Sequence, residues 1–392
     1  MRMTVRSIRC LARDAMEDVV KFMRRILIVA LALMSASVPV HAQNASRGVA
    51  MPFTVSGVGL VSERAMAQDP NASKVNAGFR AIFYPGVKVN ANWYGLSAVQ
   101  VRSNPFYYYD AFYPQKEVSV DIQQLFLGYR WTGDESAFGF KAGKLPSAFG
   151  SFPLRYSDAI NPLLDQPFGY AYSVKLRPDQ RPCGTADLDH QKTYPVYVHH
   201  YCGGATVERN GMIPVTLYGL PGAEIHGSWR KFDGRFQLTN SSPANPQELS
   251  SESQHVQWTA GAGYTLWQGF RIGASGFRGP FLEDAVSPSL DPGTDVGDYP
   301  ATGIGGDVQW GRGRWSANAE WQRVQFDYPR FNTSPANSSG YVELKATLNP
   351  RIYTALRAGY ETYGRVEDSY GVQSGHFFPN RRSHEFAVGY HV

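Results

Sequence analysis

In residues 255–277 every second side chain is apolar. Val256, Trp258, Ala260, Ala262, Tyr264 and Leu266 alternate with His255, Gln257, Thr259, Gly261, Gly263 and Thr265. Successive side chains of an extended strand point to opposite faces, so a period of two describes a strand with one apolar and one polar face. After a tight turn at 267–269 the alternation resumes, with Phe270, Ile272 and Ala274 set against Arg271, Gly273 and Ser275. Such a hairpin admits two architectures. In a soluble sandwich the apolar face packs on a second sheet. In a membrane barrel it faces lipid, the polar face lines water, and aromatics such as Trp258, Trp267 and Phe277 mark the interfaces.

The same alternation recurs from Met51 onward, with no linker or break in composition. It predicts strands over 75–83 and 87–93, joined by a turn at Pro85 and Gly86, and over 118–131 and 138–142. Shorter stretches follow at 213–219, 223–229 and 236–238. Two hairpins (304–310 with 315–321, 342–348 with 352–360) and a last strand at 385–392 follow. Long connections (240–254, 279–301, 327–339, 364–383) alternate with tight turns (267–269, 311–314, 349–351). Membrane barrels have this asymmetry and a sandwich has no reason for it. Parity with both termini at the tight-turn end calls for one more descending strand after 146, with 196–201 the best candidate and 168–174 behind it. The expected fold is therefore an all-β, transmembrane antiparallel β-barrel of about 16 strands, an even number as bacterial barrels need, in a single domain over 43–392.

The ends of the chain agree with export. Arg24 and Arg25 precede the apolar run 26–34, then Ser35, Ser37 and Pro39 lead to Val40-His41-Ala42. A basic region, a short apolar core and a small-residue site make a signal peptide, with cleavage expected after Ala42. The run is too short to span a bilayer, and Met23 is a natural start. A leader ending there takes with it seven of the 38 Lys and Arg and three of the 33 Asp and Glu. The remainder balances to within a single charge, so the formal net charge of +5 is no argument for a nucleic-acid partner. Cys10 leaves with the leader too. Cys183 and Cys202 then form an even pair in an exported chain, which favours a disulfide; two free thiols, or a metal pair with His199 and His200, are the alternatives.

The connection 146–194, after the fifth strand, is longer than any other and belongs to the class of loops that carry function. Here residues 142–150 (AGKLPSAFG), followed by 156–163 (YSDAINPL), resemble the strand end and loop start of outer-membrane porins related to the phosphate-selective group. The resemblance implies a bacterial outer-membrane channel whose long loop folds into the barrel and narrows it, compatible with a homotrimer. The last strand is similar to the family's assembly signal, Phe386, Val388 and Tyr390 being spaced by two, although Val392 stands where a terminal Phe is usual. Outer-membrane lipid, the barrel assembly machinery and small hydrophilic solutes are the implied partners, with no cofactor.

Within the loop, Arg155, Asp158, Asp165, Lys175 and Arg177 are the candidate constriction residues. On the strands Arg80, Arg130, Lys141, Arg271, Asp307, Glu320, Glu343, Lys345 and Arg357 share the polar phase and are expected to face the lumen. Fixed charges in a lumen set the field that an ion crosses; mixed signs argue for weak selectivity. The aromatic run 106–113 either stacks sugars or packs a loop. No nucleophile elbow, HExxH, phosphate loop or Cys/His metal spacing is present, so a channel is favoured over an enzyme. A barrel enzyme acting on lipids and a structural or adhesive barrel remain the other classes.

Overall fold

The computed structural model describes residues 48–61, 75–103, 118–156, 161–163, 165–172, 174, 176–185, 188, 201–204, 212–217, 219–245 and 255–390. The expected signal peptide, the aromatic run 106–113, Asp158 and Lys175 lie outside the described residues.

The chain enters through β1 (Gly48–Ala50), β2 (Phe53–Val61), β3 (Val75–Phe83), β4 (Gly86–Lys88), β5 (Trp93–Ser103), β6 (Val118–Thr132) and β7 (Ser136–Leu145). Two one-turn helices follow, α1 (Phe152–Arg155) and α2 (Phe168–Ala171), then β8 (Gln180–Pro182) and β9 (Tyr201–Gly204), which pair only with each other. The remainder is β10 (Leu220–Trp229), β11 (Phe232–Thr239), β12 (Gln257–Trp267), β13 (Phe270–Pro280), β14 (Pro300–Arg312), β15 (Trp315–Phe326), β16 (Phe331–Thr333), β17 (Ala336–Thr347), β18 (Ile352–Tyr363), β19 (Arg365–Asp368), β20 (Gln373–His376) and β21 (Arg381–Tyr390). β16, β19 and β20 form a small sheet of their own in the long connections; the others make one antiparallel sheet of 16 strands.

Register shows how that sheet is built. Gly48 opposes Lys88 and Phe53 opposes Phe83 in one unbroken ladder, so β1 and β2 are collinear across Met51 and Pro52. Likewise β3 and β4 are collinear across Tyr84 and Pro85, both paired with β5 in a single register, so the 16 strands make 14 passes of the wall. The turn expected at Pro85 and Gly86 is thus corrected. Pro85 lacks the N–H that a ladder needs and interrupts the strand without reversing it. The chain reverses instead at 89–92, where the Asn90 Oδ1 accepts from the backbone N–H groups of Asn92 and Trp93, an Asx turn.

A second correction concerns the passage after β7. β7 pairs directly with β10, Leu145 opposite Leu220 and Lys141 opposite Glu224. No wall strand lies between them, and parity is met without one. The described residues of the stretch 213–219, namely 213–217 and Gly219, are irregular, Phe168 opens a helix rather than a strand, and Tyr201 begins β9 outside the wall. The connection after β7 therefore runs from Pro146 to Gly219, longer than its expected end at Tyr194.

The two phases of the wall are inverted relative to a soluble protein. Leu356 is 52% exposed while the adjacent Arg357 is 2% exposed. The pattern holds from strand to strand. Ile225, Phe236, Leu238, Ile272, Ile304, Val308, Trp321 and Val342 are exposed, whereas Glu224, Gln237, Gln257, Asp307, Glu320, Gln322, Glu343 and Glu361 are buried. The sheet curls so far around its polar face that one loop segment touches side chains from β3, β11, β13, β15, β17 and β18. Among the described residues no helix is long and apolar enough to cross a membrane.

Candidate functional site

The loop enters the lumen through a turn that only glycine makes cheaply. Gly150 has φ +77, and a Cβ there would collide with Tyr170 and Glu320, so a side chain is excluded both by conformation and by space. From this turn the chain passes through Ser151 into α1, with Pro153 in its first turn, where a missing N–H costs nothing.

Glu320 on β15 holds that turn. Its carboxylate accepts from the Ser151 N–H at 3.2 Å, the Ser151 hydroxyl at 3.0 Å, the Phe152 N–H at 3.1 Å, the Tyr341 hydroxyl at 3.2 Å and the Tyr170 hydroxyl. Burial and the neighbouring carboxylate push the Tyr170 phenol well above its ordinary value, so it remains a donor at any physiological pH. The rest of the grip is made by side-chain donors to loop carbonyls. Arg235 on β11 donates to the carbonyls of Ala148 (2.6 Å) and Gly150 (2.8 Å), and Gln237 to that of Pro146 (2.9 Å). Arg357 on β18 donates to the Asp165 carbonyl at 2.7 Å while pairing with Glu343 at 2.7 Å and Glu385 at 3.1 Å.

An apolar cluster packs against this grip. Phe149, Phe152 and Tyr170 of the loop pack with Phe277, Val324, Phe326, Tyr341 and Tyr363 from the outer ends of the strands, and with Phe281, Tyr328, Phe377 and Phe378 from the long connections. Edge-to-face pairs such as Phe149–Phe277 at 4.9 Å and Phe281–Tyr328 at 5.1 Å order it.

The candidate constriction residues separate in space. Arg155 lies in the lumen, its guanidinium 2.6 Å from the Tyr341 hydroxyl and 3.3 Å from Glu343. Asp165 contributes its carbonyl to Arg357. Arg177 sits higher, in the outer cover, bidentate to Asp179 at 2.7 and 2.9 Å, with its carbonyl accepting from Tyr328. All nine strand residues named from the polar phase stand on the enclosed phase. Most are matched with opposite charge: Lys141 with Glu224 at 2.9 Å, Arg271 with Asp307 at 2.9 Å and Asp233 at 2.6 Å, Arg357 with Glu343. Ser151, Tyr170, Tyr341, Arg235 and Gln237 escaped the sequence reading. Arg235 and Tyr341 share the polar phase of their strands, a usable signal. Nothing local marks Ser151 or Tyr170, whose roles depend on a carboxylate more than 100 positions away.

For the two cysteines, β8 and β9 supply the placement. Arg181 opposes Gly203 and Pro182 opposes Tyr201 across a register shift, so the Cys202 backbone falls beside the end of β8, which Cys183 directly follows.

No protein-family model matches the sequence, and no curated protein matches it. Among solved structures, the chain is similar to OmpF of Salmonella typhi in its daunomycin complex (9% identity, 83% of this chain and 82% of that one, TM-score 0.42). It is also similar to the outer membrane channel DcaP of Acinetobacter baumannii (10% identity, 89% and 99%, TM-score 0.39) and to the trimer form of OmpT, an outer membrane protein of Vibrio cholerae (9% identity, 88% and 99%, TM-score 0.37).

Proposed function

We propose that this protein is an outer-membrane pore for passive diffusion of small hydrophilic solutes, with weak ion selectivity. The observation that carries the reading is the inversion of the wall: polar side chains are enclosed while Leu, Ile, Val, Phe and Trp cover the outside. In water that exterior is a liability on every strand. In lipid each such side chain recovers about 1.5–3 kcal/mol, and a closed sheet is the one strand architecture that satisfies its backbone there. A polar enclosed face suits a water-filled lumen. The loop from Pro146 to Gly219 lies where it sets the bore, and the pairing of interior acids with Arg and Lys cancels most of the field that would favour one sign of ion.

The test is conductance in a planar bilayer. Discrete steps are expected, with a reversal potential in a salt gradient near zero. Deleting part of 153–180 should enlarge the steps, and unchanged conductance would remove the loop from the pore. A protein that partitions to the soluble periplasmic fraction would end the reading altogether.

We also propose that Cys183 and Cys202 form a disulfide that closes the outer part of the loop. In the chain-entropy model a bridge over that span stabilises by roughly 3 kcal/mol. Mass spectrometry of non-reduced peptides should recover the linked pair; two free thiols in freshly isolated protein would refute it.

A further inference from the structure

The lipid-facing phase carries charge, and only of one sign. On the wall strands from β12 onward every carboxylate, Asp307, Glu320, Glu343, Glu361 and Glu385, stands on the enclosed phase. Arg278, Arg323 and Arg382 stand on the outward phase and are exposed. A cation on a surface that otherwise faces hydrocarbon is costly unless it lies at headgroup depth, so the height of the three matters.

Register gives that height. Arg278 lies on the outward rung Trp258–Arg278–Thr302–Gln325. Arg323 lies on the next outward rung toward the tight turns, Ile304–Arg323–Ser338–Thr362, and Arg382 on the one after, Trp321–Gly340–Tyr360–Arg382. Each step down the ladder accompanies a step along the sheet. The tight turns descend in the same sense: the β12–β13 ladder ends at Trp267 and Phe270, one outward rung above the Arg312–Trp315 rung that closes β14–β15, and the β17–β18 turn at Leu348 lies a further rung below. Barrel strands tilt by roughly 35–45°, so a line of constant height steps along the rungs in just this way. The three arginines therefore share one level near the long-loop end. With strands about 4.8 Å apart and about 3.4 Å per residue, the Arg278 and Arg323 Cα atoms are roughly 12 Å apart, within the joint span of two extended guanidinium arms.

What lies around and below them completes the picture. Thr302, Gln325, Ser338 and Thr362 occupy the outward positions between the arginines, and Arg278 already meets the Thr302 hydroxyl at 3.4 Å. Beside Arg278 and Arg382 stand their cross-strand partners Trp258 and Tyr360, and one rung below Arg323 stands Trp321; all three are exposed at 41–42%, as residues of an interfacial aromatic belt are. Gln325 donates to the Asp327 carboxylate at 3.2 Å, but none of the three arginines is itself paired with an acid among the described residues; such arginines recognise phosphate, bidentate where geometry allows, and hydroxyl and amide groups recognise sugar hydroxyls.

We infer that this outward patch docks a phosphate-bearing glycolipid of the outer leaflet, the arginines taking its phosphates and the intervening polar side chains its sugar. The inference rests on the membrane reading above. The test uses the full protein in phosphatidylcholine nanodiscs containing bis-phosphorylated lipid A, dephosphorylated lipid A or phosphatidylglycerol, with bound lipid counted by native mass spectrometry. Phosphorylated lipid A should be retained at least tenfold over the other two, and the triple variant Arg278→Gln, Arg323→Gln, Arg382→Gln should lose that preference. Arg312→Gln, an outward cation at the opposite rim, should keep it. Equal retention of dephosphorylated lipid A, equal retention of phosphatidylglycerol, an unaffected triple variant, or protection of the arginines by a second copy of the chain in lipid-free protein would each overturn the inference. Failure of the wild type to insert and conduct would instead fail the pore reading. Heat-modifiable migration of the triple variant in gels checks that its barrel has formed.

Discussion

Two sectors of the wall carry the same polar phase and use it differently. From β14 to β18 the enclosed side chains Glu320, Gln322, Asn337, Glu343, Arg357 and Glu361 are all at 5% exposure or less: Glu320, Glu343 and Arg357 bond the loop directly, while Gln322, Asn337 and Glu361 bond to neighbouring wall side chains. From β6 to β10 the corresponding positions are more open, Glu224 at 3% excepted: Lys141 keeps 20% and His226 34% of its side chain exposed, and Asp121 and Arg130 are exposed. Alternation decides which side chains point inward. Their contacts with the loop and with one another decide which of those are sealed and which meet water. The open sector is where a solute has polar contacts to make, and we place the path there.

The largest effect should come from breaking the seal. Glu320→Ala leaves five donors without their acceptor in a buried site, and removing one partner of a buried charge network costs about 3–5 kcal/mol. Thermal unfolding in detergent should show that loss, and single-channel steps should grow and become noisy as the loop detaches. A variant with wild-type conductance would mean that the loop is held from elsewhere. Arg357→Met should follow at about 3 kcal/mol, since Glu343 and Glu385 lose their shared cation, and the Asp165 end of the loop should then be freed while the Ser151 end stays. Protease accessibility resolves the two ends. In the open sector the effect should be electrical and not structural. Lys141→Glu puts a second carboxylate against Glu224 beside water, and the reversal potential in a salt gradient should move toward cations with little change in melting temperature. No shift would place the path away from Lys141.

Much of the wall was legible in the sequence because a strand announces its two faces residue by residue. The enclosed position of Asp307, Glu343 and Arg357 follows from counting by twos. What misled was parity without register: 213–219 looks strand-like, and only pairing shows that β10 begins at Leu220 and takes β7 as its neighbour. Proline misled as well, since Pro85 reads as a turn yet leaves the ladder's register unbroken. The seal itself was illegible for a physical reason. Glu320 is one charge among several on the polar phase, and its rank depends on Ser151, Tyr170 and Tyr341, which the fold brings together and no local pattern connects.

The smallest expected effect concerns the outer cover and sharpens the contrast by leaving both wall sectors alone. Asp368, at the end of β19, accepts from the Thr185 N–H and hydroxyl at 3.2 Å and from the N–H groups of Tyr370 and Val372 at 3.0 Å. It thereby ties the segment just after Cys183 to the β19–β20 turn. Burial alone would raise its pKa, but these donors more than offset that and hold the carboxyl below its usual range. A carboxyl with a depressed folded value contributes stability that is fully present above its unfolded pKa, about 3.9, and is lost as the pH falls through the lower folded value. Hydrogen exchange in 366–372 should therefore be flat from neutral pH down to about 4 and lose protection below that. Asp368→Asn should show the weakened protection at every pH, with Glu320 contacts and channel conductance unchanged. If acidification or the substitution altered conductance as strongly as Glu320→Ala does, the outer cover and the seal would be one cooperative unit, and the loop would be held from above as firmly as from the wall.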